Sequence, residues 1–153
     1  MRARPTAQGN YVLINHEWRV TECADVTHLP DGKRIQLNRA HAYRDSKGRW
    51  HEAPKGFVCD GASIPRFVWS IAGHPFGVFL MDAIIHDWLY SQLRFVSRHN
   101  LSDARADADN VFLDGMTWRV RNVLGNRWRY RLKAVTYYRA VRMFGGLVSR
   151  WSR

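Results

Sequence analysis

Hydrophobic and polar positions divide the chain into a strand-like first part and a helical second part. Over about residues 10–60, short apolar or alternating runs are separated by turn-forming residues, which is the pattern of β-strands. The runs are 11–14, 18–20, 34–37, 41–43 and 57–59, and the turns are 30–32, 45–48 and 54–56. This pattern predicts a small N-terminal antiparallel sheet.

After a loop at 60–65, apolar residues recur at three- and four-residue steps, which is the period of an α-helix. The pattern predicts a short helix over 66–72 and long helices over 77–95, 103–121 and 127–148. The chain has 153 residues, 46% of them hydrophobic, and no internal repeat. We therefore expect one domain, residues 1–153, of the α+β class: a strand-rich portion over about 10–60 and a helical core over 66–148.

A titratable pair, His86 and Asp87, interrupts the most apolar part of the helix predicted over 77–95. Helical spacing places His86 on the same stripe as Tyr90 and rotates Asp87 away from that stripe by about 100°. His86 should therefore point into the protein. Asp87 should point toward whatever loop packs on the helix.

The helix predicted over 103–121 carries one carboxylate, Asp109, on its apolar stripe beside Phe112 and Met116. Its other acids, such as Asp107 and Asp114, fall on the stripe predicted to face water. Because a buried carboxylate needs a donor or loses its charge, Asp109 should have a partner inside the protein.

His86 lies twelve residues before Arg98, near the middle of the connection between the two helices, and Asp109 lies eleven residues after it. In two antiparallel neighbouring helices these side chains stand at the same level. We therefore expect a hydrogen bond between His86 and Asp109, and the hydroxyl of Tyr90, one turn from His86, could donate to the same carboxylate. An aspartate that holds one ring nitrogen leaves the other free to accept a proton from water, as in a general base.

Asp87 is a candidate metal ligand together with Asp60, which lies in the Cys59-Asp60-Gly61 turn. Two carboxylates and the carbonyls of a bent loop suit a hard cation, and calcium is the expected ion. The alternative interpretation leaves the pair without chemistry, with His86 a satisfied core histidine and Asp87 a surface acid.

The net charge of +11 is concentrated at the C-terminal end. From Trp118 to Arg153 there are nine arginines, one lysine and no acidic residue, and aromatic residues alternate with them. Such a face suits phosphate in anionic lipid, in nucleic acid or on an acidic partner protein, and Lys133, Arg139 and Arg142 are the candidate contacts. A solvated face that serves solubility alone is the alternative.

The cysteines and the apolar runs of the chain exclude several classes of protein. Two cysteines, Cys23 and Cys59, are too few for a disulfide framework and too far apart for a typical zinc site. The basic start at residues 1–5 is followed by polar residues, and no run reaches the roughly 18 apolar residues of a membrane span. We expect a chain without a signal peptide or transmembrane segment, and the sequence does not predict its oligomeric state.

Four blocks in order resemble the small secreted phospholipases A₂ of bacteria and fungi. The blocks are Pro75-Phe76-Gly77, His86-Asp87-Trp88-Leu89-Tyr90, the Asp-x-x-Phe-x-x-x-Met run over 109–116 and the Tyr-Tyr-x-Ala-Val-x-x-Phe-Gly run over 137–145. The resemblance implies a helical core with two long antiparallel helices. The disulfides of that family and the Gly-rich calcium loop of its animal members are missing here.

Carried onto this chain, the resemblance implies that His86 activates water, that Asp109 orients His86 and that Asp87 binds calcium. Asp60 would be a loop ligand, although its distance along the chain to the Pro-Phe-Gly block is longer than in that family.

A second and closer resemblance covers about residues 50–146. The run Gly56-Phe57-Val58-Cys59-Asp60-Gly61-Ala62-Ser63-Ile64-Pro65-Arg66, followed by the His-Asp helix, looks like a domain-of-unknown-function family common in tailed phages and prophages. It implies a location in a virion or in the host cytoplasm. Three functions are left open. The chain is a calcium-dependent lipid hydrolase, an inactive structural protein of the tail, baseplate or head, or, less strongly indicated, a nucleic-acid-binding protein.

Overall fold

The computed structural model describes residues 6–15, 17–20, 23–59 and 77–148, without the side chains of residues 18, 20 and 145–148. Strands occupy the first part and helices the second, which confirms the predicted α+β class. The short helix predicted over 66–72 and the loop at 60–65 lie outside the described residues.

The described part of the chain up to residue 59 contains seven strands in two antiparallel sheets. The strands are β1 (Gly9–Ile14), β2 (Glu17–Val20), β3 (Val26–His28), β4 (Ile35–Leu37), β5 (His41–Arg44), β6 (Trp50–Ala53) and β7 (Val58–Cys59). One sheet has the order β2-β1-β5-β6 and the other the order β3-β4-β7. The predicted single sheet is thus two sheets, and β3 and β6 were not predicted.

Both missed strands lie at a sheet edge, which explains the missing signal. An edge strand has one neighbour and can expose much of its surface, so it needs few apolar residues. Strand β3 contains one apolar residue, Val26, and in β6 only Ala53 is buried. The turn over 45–48 was predicted, and it joins β5 to β6 as a hairpin.

Three long helices follow: α1 (Leu80–Gln92), α2 (Leu101–Asn122) and α3 (Trp128–Val148). The region predicted as one helix over 77–95 is shorter, because it ends in a separate 3₁₀ turn at Leu93–Phe95, and a second 3₁₀ turn at Arg98–Asn100 leads into α2. No helix among the described residues is long and apolar enough to cross a membrane.

Helix α1 lies between two apolar clusters. One is built with α2 and α3, and its buried members are Phe79, Ala83, Phe112, Met116, Val120, Ala134, Tyr137, Ala140 and Val141. The other is built with the strands, and its buried members are Ile35, Leu37, Tyr43, Ala53, Cys59, Ile84, Ile85 and Val111. All six residues from Met81 to His86 are therefore buried, whichever way they point. Polar side chains in this stretch need partners inside the protein.

Candidate functional site

The predicted contact between α1 and α2 is present. His86 Nε2 lies 3.0 Å from Asp109 Oδ1, and both side chains are buried. Further toward the N-terminus of α1, Asp82 contacts Arg119 of α2. Because a lower number on α1 pairs with a higher number on α2, the two helices run antiparallel, as predicted.

Tyr90 completes the contact from one turn further along α1. Its hydroxyl donates to Asp109 Oδ1 at 2.7 Å, and its ring centroid lies 4.3 Å from that of His86. Burial, together with the hydrogen bond to Asp109, raises the pKa of Tyr90 well above its ordinary value of 10.0. Tyr90 therefore keeps its proton and acts as a donor.

The second oxygen of Asp109 is also occupied. Arg142 of α3 donates from Nη1 to Asp109 Oδ2 at 3.0 Å. Burial alone would raise the pKa of Asp109, but the hydrogen bonds from His86 and Tyr90, the charge on His86 and the hydrogen bond from Arg142 outweigh it. The net pKa of Asp109 lies below its ordinary value, so the carboxylate stays ionised at neutral pH.

His86 has one nitrogen left for chemistry. Its Nδ1 is buried and has no hydrogen-bond partner among the described residues. Asp87 Oδ1 lies 3.6 Å away, beyond hydrogen-bond range. A buried polar atom without a partner is costly to keep, and a water molecule or a ligand is an ordinary way to satisfy it.

The pKa of His86 is set by opposing effects. Burial lowers it, while the hydrogen bond to Asp109 and the negative charges of Asp87 and Asp109 raise it, and the net pKa lies above the ordinary value of 6.5. Phe112 packs on the ring, with the two centroids 4.8 Å apart, and helps to fix its orientation.

Oδ2 of Asp87 points away from the His86–Asp109 pair, which we call the dyad, and toward the end of the second sheet, β3-β4-β7. The thiol of Cys59, the last residue of β7, donates to Asp87 Oδ2 at 2.9 Å. Asp60, the other predicted calcium ligand, follows directly in the chain but lies outside the described residues. Cys59, the residue before Asp60 in the chain, therefore lies against Asp87.

Calcium binding at this point would depend on Asp87 and on the predicted turn that contains Asp60. Within the described ranges, no three His, Cys, Asp or Glu side chains come together in a way that could hold a metal. Asp87 supplies one oxygen-bearing side chain of the kind that calcium prefers, next to the partnerless Nδ1 of His86. A calcium site at this point would need Asp60 and loop carbonyls in addition.

Sequence reasoning missed a second buried polar pair. Arg119 Nε lies 2.8 Å from Asp82 Oδ2, and the amide of Asn10 in β1 reaches Asp82 Oδ1 at 3.4 Å. The signal was available, because Asp82 lies four residues before His86 and Arg119 lies seven residues after Phe112. Each charge thus falls on its helix's buried stripe.

Two acids predicted to face water are in fact engaged by the first sheet. Asp114 Oδ2 accepts hydrogen bonds from the hydroxyl of Tyr43 at 2.7 Å and from the backbone N–H of Ser46 at 2.8 Å. Asp107 forms a bidentate pair with Arg49. Asp107 keeps 43% of its side chain exposed, as predicted, whereas Asp114 is partly covered because the β5–β6 hairpin packs on its side of α2.

The three basic residues predicted to bind phosphate or lipid lie in different surroundings. Arg139 is exposed on α3, Lys133 is partly buried, and Arg142 reaches the dyad. Arg142 is therefore part of the candidate site, a role that its position in the sequence alone does not indicate.

Comparison with known proteins gives a family and one relative. The family model described as "Protein of unknown function (DUF1353)" matches residues 35–135. An uncharacterized protein, y4jT of Sinorhizobium fredii (strain NBRC 101917 / NGR234), is 41% identical over 55 residues, which are 35% of this chain and 16% of that protein. The chain therefore spans less than a fifth of the length of this curated relative. No solved structure matches the chain.

Proposed function

The chain belongs to the DUF1353 family of proteins of unknown function, and from the chemistry of its site we propose that it is a phospholipase A₂-like hydrolase of lipid esters. The observation that carries the proposal is the buried His86, held on Nε2 by Asp109 and partnerless on Nδ1 among the described residues. The partnerless Nδ1 is an atom that could exchange a proton with a molecule that enters the site.

The reaction needs a base that takes one proton from water. With its Nε2 proton donated to the ionised Asp109, neutral His86 carries a lone pair on Nδ1. Nδ1 removes the proton as the water oxygen bonds to the ester carbonyl carbon, and Asp109 stabilises the imidazolium that forms. The tetrahedral intermediate then breaks its bond to the alcohol oxygen, which takes the proton from Nδ1, so that acid and alcohol leave.

Tyr90 and Arg142 act through Asp109 in this scheme. Their hydrogen bonds of 2.7 Å and 3.0 Å keep the carboxylate ionised and fixed toward His86. They are positioning residues, because neither is placed against the water or the ester.

Calcium is part of the proposal, with Asp87 and Asp60 as the protein carboxylates that would hold it. A bound calcium ion would supply positive charge to the ester oxygen that becomes negative during the reaction. The position of Asp87, whose Oδ1 lies 3.6 Å from His86 Nδ1, supports a cation near the reacting water.

The decisive experiment measures release of fatty acid from a fluorescent phospholipid with calcium present. We expect turnover by the wild type and a loss of about a hundredfold or more for His86→Gln, which removes the proton acceptor but keeps size and polarity. His99→Gln, at an exposed histidine in the turn before α2, is the matched control and should keep full activity.

Equal inactivity of the wild type and of His86→Gln on every phospholipid tried would overturn the hydrolase. A structural protein of a phage or prophage virion would then be the better interpretation. Origin in a phage or prophage remains a prediction from the motif at residues 56–66.

The metal is tested separately from turnover, by thermal melting. Calcium at millimolar concentration should raise the melting temperature of the wild type, since a ligand that binds only the folded state stabilises it. Asp87→Asn should abolish the rise, whereas Asp103→Asn, at an exposed acid of α2, should keep it. Identical wild-type melts with calcium and with chelator would remove calcium from the proposal.

A further inference from the structure

Helix α3 has an apolar stripe on the side that faces away from the protein. Its core side is formed by Ala134, Tyr137, Ala140 and Val141. At 100° per residue, the opposite side contains positions 128, 132, 135, 139 and 143. Four of these five are apolar and open to solvent: Trp128 (68% exposed), Leu132 (59%), Val135 (42%) and Met143 (72%).

An ordinary surface helix carries polar residues at these positions. Single exposed apolar residues are common and need no explanation, but a stripe that continues over four turns marks a surface that contacts another apolar body. We call the surface formed by Trp128, Leu132, Val135, Arg139 and Met143 the α3 stripe.

The charges beside the α3 stripe define the partner. Arg129 and Arg131 lie on its two flanks and are exposed, as is Arg139 in its middle. The guanidinium of Arg129 lies 5.8 Å from the ring centroid of Trp128. No acidic residue occurs from Trp118 to the end of the chain, so the surface is uniformly basic.

We propose that the α3 stripe binds the surface of an anionic lipid bilayer, with its apolar side chains among the acyl chains and its arginines at the headgroups. This combination of an apolar stripe, an indole and flanking arginines is that of helices that lie in a membrane interface. The proposal stands apart from the hydrolase, because its residues lie on the side of α3 opposite the core.

Two other occupants fit the charges less well. A second copy of the chain would bring arginines against arginines, with no acid in this segment to neutralise them. Nucleic acid would satisfy the arginines but would leave Leu132, Val135 and Met143 against phosphates, which offer no apolar surface.

The test is sedimentation of the full chain with vesicles of phosphatidylcholine alone or with 30% phosphatidylglycerol. We expect binding to require phosphatidylglycerol, and the partition constant to fall roughly tenfold in Leu132→Ser, because the leucine no longer leaves water. Phe95→Ser is the matched control: this exposed aromatic lies outside α3, and its loss should change binding little.

Charge is tested in the same assay. Arg139→Glu should weaken binding roughly tenfold or more, since each basic residue near an anionic surface contributes about 1 kcal/mol and the reversal counts twice. Lys55→Glu changes the net charge equally at an exposed site in the turn before β7 and should have a much smaller effect.

Several outcomes would overturn the proposal: no binding to the anionic vesicles, equal losses for Lys55→Glu and Arg139→Glu, or unchanged binding of Leu132→Ser. A dimer seen by light scattering and lost in Leu132→Ser would assign the stripe to a second copy. Duplex DNA that binds through Arg139 without regard to Leu132 would assign it to nucleic acid. Because the readout is binding, a failed hydrolase assay leaves this result intact.

Discussion

Arg119 and Asp82 form an ion pair inside the protein, with Nε and Oδ2 2.8 Å apart and with 3% and 1% of the two side chains exposed. The pair joins α1 to α2 at the end of the interface away from Tyr90. Asn10 extends it into the first sheet. Because both charges are removed from water, each depends on the other for its solvation.

Arg119→Met should therefore destabilise the fold by about 3–5 kcal/mol, because it leaves Asp82 as an uncompensated buried charge. Urea unfolding measures the loss. Arg121→Met, at an exposed arginine of the same helix, should stay within about 0.5 kcal/mol of the wild type. The double variant Asp82→Leu/Arg119→Met should lose less than Arg119→Met alone, and a larger loss would contradict this account of the pair.

Gly115→Ala tests how tightly α2 approaches the same pair. A Cβ at position 115 would lie 2.6 Å from Asp82 Oδ1, an oxygen on a carboxylate that Arg119 holds in place. Alanine improves helix propensity by about 1 kcal/mol, but the clash should reverse the sign and give a net loss of about 1–3 kcal/mol.

Urea unfolding also measures whether Gly115→Ala is less stable than the wild type. Combining Gly115→Ala with Asp82→Ala should cost less than the sum of the two single losses, because the clashing oxygen is gone. A variant Gly115→Ala that is as stable as the wild type would mean that the two helices can separate at no cost.

Tyr90→Phe and Asp109→Asn should differ in their effects on stability. Tyr90→Phe removes one hydrogen bond and should cost about 0.5–1.5 kcal/mol. Asp109→Asn weakens contacts to His86, Tyr90 and Arg142 together, so the loss should be larger, about 2–4 kcal/mol. Urea unfolding with Asp103→Asn as the exposed control gives the comparison, and equal losses for Tyr90→Phe and Asp109→Asn would count against a shared network.

Much of the interface between α1 and α2 could be predicted because it depends on local regularities. Helical spacing fixes which residues share a stripe, and the equal distances of His86 and Asp109 from the connection fix their level. Tyr90 follows from His86 by one turn of the same helix. These relations need no knowledge of the rest of the molecule.

What the sequence did not predict depends on how separate elements pack. Arg142 reaches Asp109 only because α3 lies against α2, and no spacing within α3 indicates this. Asp114 looked like a surface acid because the hairpin that brings Tyr43 to it is distant in the chain. Asp82 and Arg119 are different, since their stripe positions carried the signal and only their pairing required the structure.

Stability and activity should change in opposite directions as pH rises above 6.5. The pKa of Asp109 is lowered in the folded state, so its contribution is present above its ordinary value of 3.8 and is lost as pH falls through the lower folded value. The pKa of His86 is raised, so its contribution is complete below 6.5 and is lost as pH rises through the higher folded value. The pair should stabilise the fold most between these two ordinary values.

Activity needs neutral His86, so hydrolysis should rise with pH above 6.5, over the same interval in which the stabilisation by the pair declines. The measurements are a pH–rate profile and urea unfolding from about pH 4 to about pH 9, each on wild type and Asp109→Asn. In Asp109→Asn the decline in stability above pH 6.5 should become shallower, and any residual activity should reach half its maximum at lower pH, because the carboxylate that favours protonated His86 is gone. Two results would show that Asp109 does not raise the pKa of His86. One is a wild-type rate profile with its midpoint below pH 6.5, and the other is a stability of the wild type that rises relative to that of Asp109→Asn above this pH.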